Sequence, residues 1–213
     1  MKTADKISNA VIRRLPKYLR VLEDLNKVGV ERISSGELSE LIGYTASQIR
    51  QDLNHFGGFG QQGYGYNVKE LHGEILAILG LDRPYKMVLV GCGKLGQALS
   101  NYTHEYGDNF TLAGLFDVKK ELIGTKIAGT TIRDISELPT FLRKNKIDIG
   151  VMTVPPDQAG TIAKLLVGGG VRGIWNFAPV DLDDIEEVPV ENVHIWDSLE
   201  ALAYHIVQKE KQD

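Results

Sequence analysis

The stretch "KMVLVGCGKLGQALSNY", residues 86–102, limits the possible fold more than any other part of the chain. An apolar run, Met87 to Val90, reads as a buried strand; it enters Gly91, Gly93 and Gly96 and then a helical run containing Ala98 and Leu99. A second apolar run, "TLAGLFD", ends in Asp117, 21 residues beyond Gly96. A glycine triplet alone is weak, but strand, turn, helix and distant acid in this order predict a doubly wound parallel sheet with a dinucleotide at its first turn. Gly91 allows the tight turn, Gly93 lets a pyrophosphate approach the backbone, and Gly96 lets helix pack on strand. Lys94 and Leu95 open the helix, whose amides and dipole attract the phosphates. Asp117 accepts from the ribose hydroxyls and repels a 2′-phosphate, favouring NAD(H), with Val118 beside it; Lys119 and Lys120 weaken that preference. Cys92, inside the turn, reads as a small neutral filler, with a redox thiol as the alternative.

Two further strands read as "DIGVMTVP" and "VRGIWNFAP", separated by a helical stretch, Gln158 to Val167. Thr153, Val154 and Pro155, and Asn176, Phe177, Ala178 and Pro179, fall at their carboxyl ends, where open parallel sheets bind ligands. They are candidate nicotinamide contacts or simple strand exits.

The N-terminal part has a different grammar. Leu15, Leu19, Leu22 and Leu25 recur at helical spacing between Arg13 and Val28, with Pro16 near the start and Gly29 as the stop. Ser34 with Glu37, and Thr45 with Gln48, stand at capping-box spacing, and Gly43 between them suits a left-handed C′ residue. This predicts two short helices joined by a tight turn. On the second, Ala46, Ile49, Leu53 and Phe56 share one face, while Ser47, Gln48, Arg50, Gln51 and Asn54 point elsewhere. That outward set is either an ordinary solvated face or one that hydrogen-bonds to base edges and phosphates. Five glycines between Gly57 and Gly65 then bear on the choice. A phosphate loop follows a strand and opens a helix, which is the wrong order here, and Phe59, Tyr64 and Tyr66 do not suit a flexible spacer. A wing remains: a hairpin that sets Gln61, Gln62 and Tyr64 in a groove beside the recognition helix, with Thr45 at that helix's start.

"ELHGEILAILGLDRPY" reads as a helix ending near Gly80 and a short linker, which makes two domains, 1–80 and 85–197, in a chain of 213 residues. The first 70 residues carry 10 Lys/Arg against 8 Asp/Glu within a chain of net charge −4, which permits a polyanion partner without requiring one. A single cysteine excludes an intramolecular disulfide and suits a reducing cytosol; no run of about 18 apolar residues suggests a membrane span, and no metal is expected. A dehydrogenase needs a substrate region and a positioned acid or base. The nucleotide domain takes about 110 residues, as such domains do, and leaves none for substrate. His104, placed after the first nucleotide-domain helix, and His194 lack the context of a base. The dinucleotide is therefore expected as an effector. The rivals are a small NAD-dependent oxidoreductase with a helical oligomerisation region, and a nucleotide-responsive module that binds protein.

"RRLPKYLRVLEDL", "RISSGELSELIGYTASQIRQDLNHFGGFGQQGYGYNV", "VGCGKLGQAL", "FDV", "MTVP" and "WNFAPVDL" resemble, in order, the Rex family of redox-sensing transcriptional repressors. The resemblance implies, for a chain whose composition already reads as cytoplasmic, a homodimer of winged-helix and Rossmann-like domains with the C-terminal helix, residues 198–213, exchanged between subunits. That helix would span Ser198 to Gln208, with Asp197 and Glu200 in capping-box relation and Leu199, Leu202, Ala203 and Ile206 on one face. It implies that NADH releases a palindromic operator which NAD+ permits, and that Arg20 and Tyr102 are switch residues. A third switch element in the family, an aspartate, aligns with His194 here, with Asp197 one turn later. Gln51, Gln61 and Gln62 stand where many relatives have Lys or Arg, so a shallower salt dependence is expected, each neutralised phosphate contributing a log–log slope of about −0.9.

Overall fold

Ser8 starts the first helix by accepting from the amide of Val11, so α1 (Asn9–Lys27) begins four residues before its leucine periodicity becomes legible. The computed structural model describes residues 7–57, 60–61, 64–106 and 109–211, and the chain forms two compact units, 1–83 and 84–213. Pro16 is not at the start of α1 but is its eighth residue, and the helix continues through it to Val28 and Gly29. The missing amide costs one helical bond, tolerated because Val11, Leu15, Tyr18 and Leu22 bury the inner face.

β1 (Arg32–Ile33) leads to α2 (Ser35–Ile42), where Ser34 and Glu37 form the reciprocal capping box expected of them. Gly43 takes φ 79° and closes the helix. α3 (Ala46–Asn54) follows, capped by Thr45, whose hydroxyl accepts from Gln48 N–H at 3.2 Å. β2 (Gly60–Gln61) and β3 (Gly65–Asn67) pair antiparallel, and β3 also pairs with β1, so the glycine-rich stretch does form a hairpin. Phe59, Gln62 and the side chain of Gln61 lie outside the described residues. α4 (Val68–Ile78) packs on α1 and ends before Gly80. Leu38, Ile42, Ile49, Leu53, Leu71 and Ile75 join Leu15, Tyr18 and Leu22 of α1 in one core.

In the second unit β4 (Tyr85–Val90), α5 (Lys94–Tyr106), β5 (Phe110–Asp117), β6 (Lys126–Ile127), β7 (Thr130–Asp134), α6 (Leu138–Lys144), β8 (Ile149–Met152), α7 (Pro156–Gly168), β9 (Gly173–Asn176), β10 (Val190–Asn192) and α8 (Ile195–Glu210) follow in order. The sheet runs β10-β9-β8-β4-β5-β7-β6, parallel except at β6/β7. β4 is apolar without alternation because both faces are covered: Val88 and Val90 meet the core containing α6 and α7 residues, while Met87 and Leu89 meet the opposite one. His104 lies within the last turn of α5, not after the helix.

α8 corrects the expected start and cap. It begins three residues before Ser198, behind His194, which makes no side-chain cap bond; Asp197 lies inside the first turn and does not form a box with Glu200. No residue of α8 is buried; Ile195, Trp196, Leu199, Leu202, Ile206 and Val207 form a broad exposed apolar stripe.

Candidate nucleotide site and nucleic-acid interface

The sheet order reverses between β4 and β8, and the crevice outside their carboxyl ends is the place where this architecture accepts ligands. Gly91 leaves β4 at φ 98°, its amide bonded to Phe116 O, and a Cβ added there would stand 2.6 Å from the carbonyl oxygen of Thr153. Thr153 Oγ1 donates to Gly91 O at 2.5 Å. A Cβ at Gly96 would overlap that same oxygen and meet Thr153 Oγ1 at 2.8 Å, so turn, helix and β8 exit close on one another only with glycine at both positions. A Cβ at Gly93 would meet nothing within 4 Å, as expected of a position left open to a ligand.

A pocket of about 490 Å³ occupies this crevice, a size within the ordinary range for cofactor sites. Its lining includes Gly91, Gly93, Leu95, Asp117, Val118, Thr153, Val154, Pro155, Phe177 and Pro179 from the expected set, together with Lys119, expected to weaken the NAD(H) preference, and with Ile135, Gln158 and Ile162, which sequence reasoning missed. Gln158 and Ile162 carried a signal, since both belong to the helix that follows Pro155. Asp117 is buried at the end of β5, accepting from Cys92 N–H at 2.5 Å and from Lys119 N–H at 2.8 Å. Two backbone amides thus orient the carboxylate at the rim while leaving lone pairs for sugar hydroxyls. Glycine turn, acid and open face together fit a dinucleotide.

Five candidates lie outside the lining: Cys92, Lys94, Gly96, Asn176 and Ala178. Cys92 is buried, with its sulfur toward Phe116 O; burial and then the charge of Asp117 push its thiol up to about 12. Lys94 opens α5 with an exposed side chain, and Gly96 acts through packing. Asn176 is fully buried, donating to Val180 O and Asn192 Oδ1 and accepting from Ala178 N–H, so its amide staples the loop after β9. Tyr102, 64% exposed on α5, borders a different groove of about 500 Å³, lined also by Met87, Phe110, Ile149, Trp175 and Val190.

In the first unit α3 presents Ser47, Arg50, Gln51 and Asn54 on one shallow surface with His55, a fifth residue that sequence reasoning passed over. Arg50 Nη1 donates to Ser35 Oγ at 2.8 Å, which holds the guanidinium on that surface. Thr45 is occupied as the cap, and Gln48 is half-buried. In the wing, Tyr64 is 69% exposed and its carbonyl accepts from Arg32 at 3.4 Å. Arg20 is exposed on α1. His194 Nε2 lies 2.7 Å from Asp181 Oδ1; that hydrogen bond, with the charges of Asp181 and Asp197, raises the imidazole above its ordinary value despite some burial.

The second missed group is Asp52, on the hidden side of α3 and bonded to Arg14 and Tyr18. Burial pushes its carboxyl up, but the hydrogen bonds from Arg14 and Tyr18 and the Arg14 charge outweigh it, so the group lies below the usual carboxylate range. Among the described residues there is no metal-binding cluster and no helix long and apolar enough to cross a membrane.

Residues 6–54 match a family described as putative DNA-binding protein N-terminus, and residues 82–180 match the CoA binding domain. The chain is 56% identical over 210 residues to the redox-sensing transcriptional repressor Rex of Clostridium beijerinckii, covering 99% of this chain and 100% of that one. It is 52% identical to that of Caldicellulosiruptor saccharolyticus, covering 97% and 95%. Among solved structures, RSP in complex with β-NAD+ and operator DNA matches with TM-score 0.89 at 51% identity, covering 96% and 94%. RSP in complex with β-NADH matches with TM-score 0.87 at 48% identity, covering 96% of each. With such identity sustained from end to end, over a helix-turn-helix and a glycine-turn nucleotide fold in one chain, the protein belongs to the Rex family of redox-sensing transcriptional repressors.

Proposed function

We propose that this protein is a repressor that reads the NADH/NAD+ balance, binding a palindromic operator as a homodimer and leaving it when NADH binds. The observation that carries this reading is one chain that presents Ser47, Arg50, Gln51 and Asn54 from a recognition helix and closes a glycine turn against Asp117 in a nucleotide pocket. Its place of action is where the operator is, in the cytoplasm.

Gly91, Gly93, the amides at the start of α5 and Asp117 would hold the dinucleotide, with Thr153–Pro155, Phe177 and Pro179 around its nicotinamide end. When bound, the nicotinamide is cationic if oxidised and neutral if reduced, which is the difference the protein has to sense. Coupling requires that the two forms favour different arrangements of the dimer. The exposed stripe on α8 supports exchange of that helix with a second copy, since an apolar face of this breadth is left uncovered within one subunit. We assign Arg20, Tyr102 and Asp197 to the switch. The imidazole of His194 is already committed to Asp181, so the acidic role falls to Asp197, exposed in the first turn of α8. The dinucleotide acts as an effector: sheet, connections and α8 take up the described residues of the second unit.

Fluorescence anisotropy of a labelled operator duplex, with NAD+ and NADH added separately, tests the reading. NADH lowers operator affinity and NAD+ does not; equal release by the two nucleotides contradicts it.

A further inference from the structure

The only acid on α3 faces away from the surface that the helix presents. Asp52 is 2% exposed, and its carboxylate receives Arg14 Nε at 2.7 Å, Arg14 Nη2 at 2.6 Å and the Tyr18 hydroxyl at 2.8 Å. Arg14 and Tyr18 stand four residues apart on α1, on the face that meets the core. The same stretch of α1 grips the approach to α3: Tyr18 and Tyr44 pack T-shaped at 6.0 Å between ring centroids, and Lys17 Nζ stands 5.0 Å from the centre of the Tyr44 ring. Tyr44 is followed directly by the Thr45 cap, so α1 holds α3 ahead of its first turn and again in its last.

A leucine at position 52 alone would strand Arg14 and the Tyr18 hydroxyl, but an all-apolar cluster would desolvate no charge there, and buried ion pairs often contribute little to stability. What the acid adds is direction. A forked, two-point bond to a guanidinium fixes the carboxylate in angle as well as distance, and so fixes the rotation of the helix that bears it. Reading base edges depends on such placement, because functional groups must be held to within about 0.5 Å and 10–20°.

We propose that Asp52, held by Arg14 and Tyr18, is a positioning residue for operator reading, which sets the rotation of α3 and thereby the discrimination between operator and unrelated DNA. This rests on the DNA-reading role of α3. Non-specific affinity comes from phosphate contacts made elsewhere on the surface and is left in place when the hold is loosened.

The test uses the full chain and two duplexes: one selected by the wild-type protein from random DNA, and the same duplex with its half-sites scrambled, both at one salt concentration. Arg14→Lys keeps the charge but loses the fork; it is expected to lower the operator-to-scrambled affinity ratio by about tenfold, the scale of one lost bidentate base contact. Asp52→Asn lowers the ratio at least as far, and Tyr18→Phe, which retains the ion pair, lowers it less. Affinity for the scrambled duplex stays within about twofold for Arg14→Lys, as does NADH affinity, which a general loss of folding would not spare. Should Asp52→Asn not fold by circular dichroism, Arg14→Lys and Tyr18→Phe decide. Equal losses on both duplexes, or a wild-type ratio for Arg14→Lys, overturn the positioning role alone. A wild-type protein that selects no duplex overturns the DNA-reading role and this proposal with it.

Discussion

Single residues in the nucleotide turn are placed by backbone geometry that spacing reveals and by burial that spacing does not. Gly91 and Gly96 were legible because their separation encodes a turn and a close approach; the structure adds only the identity of the obstacle, Thr153 and the Gly91 carbonyl. The environment of Cys92 was open between filler and redox thiol, because a turn residue can face ligand or core. It faces the core, and its thiol is pushed up to about 12 by burial and by Asp117. At pH 8 the buried thiol of the folded protein is therefore expected to react with iodoacetamide much more slowly than that of the unfolded chain, whose thiol titrates near its ordinary value of about 8.5. Mass spectrometry of alkylation with and without guanidinium measures this, and comparable rates would show the thiol to be accessible. His194 is raised too, but by a partner that favours its charged form: its bond to Asp181. The pair stabilises the folded state fully below the ordinary histidine value of about 6.5, and that stabilisation is lost as pH rises through the raised value. NMR titration is expected to find the His194 ring titrating above 6.5 in the native protein and lower in Asp181→Asn; no change in that variant would dissolve the pairing.

Among elements, the starts of α2 and α3 were read from their side-chain caps, whereas the Ser8 cap of α1, the Asn67 cap of α4 and the uncapped start of α8 were not. Ser34, Thr45 and Gly43 sit as their spacing predicts, because their hydrogen bonds are local. α8 starts at Ile195 with no side-chain cap at all, so sequence pointed to the nearby Asp197, which had the right chemistry at the wrong position. Asp52 was invisible for another reason: its partners lie 34 and 38 residues away, and only the packing of α1 on α3 makes an acid on an inner face sensible. The same element-level reasoning finds slack. Gly73 in α4 and Gly160 in α7 are exposed helical positions where an added Cβ meets nothing within 4 Å. Replacing each with alanine is expected to stabilise its unit by about 0.5–1 kcal/mol, through the backbone freedom removed from the unfolded chain. Chemical denaturation of the variants without nucleotide checks this, and a loss of stability at either site would reveal a contact made only in the assembled protein.

At the scale of the whole molecule, the two units and their fold classes followed from order alone, strand-turn-helix against helix-turn-helix-hairpin, whereas the coupling between them is a property of states and not of residues. Its thermodynamics are nonetheless constrained. If NADH lowers operator affinity by some factor, the operator must lower NADH affinity by that same factor per coupled site, because the four species close a cycle. Allosteric couplings are ordinarily about 5- to 150-fold, so the effect is within reach of calorimetry. NADH titrated into the protein alone, and then into the protein saturated with operator duplex, is expected to show a ratio of affinities equal to that obtained from operator binding without and then with saturating NADH. NAD+ run through the same cycle is expected to bind the operator-saturated protein about as tightly as the protein alone, or more tightly, since it permits the operator-bound state. Ratios for NADH that disagree would mean that a third species, such as a dissociated subunit, takes part in release. That outcome is measurable, because a cycle that includes subunit dissociation shifts with protein concentration and one confined to the dimer does not.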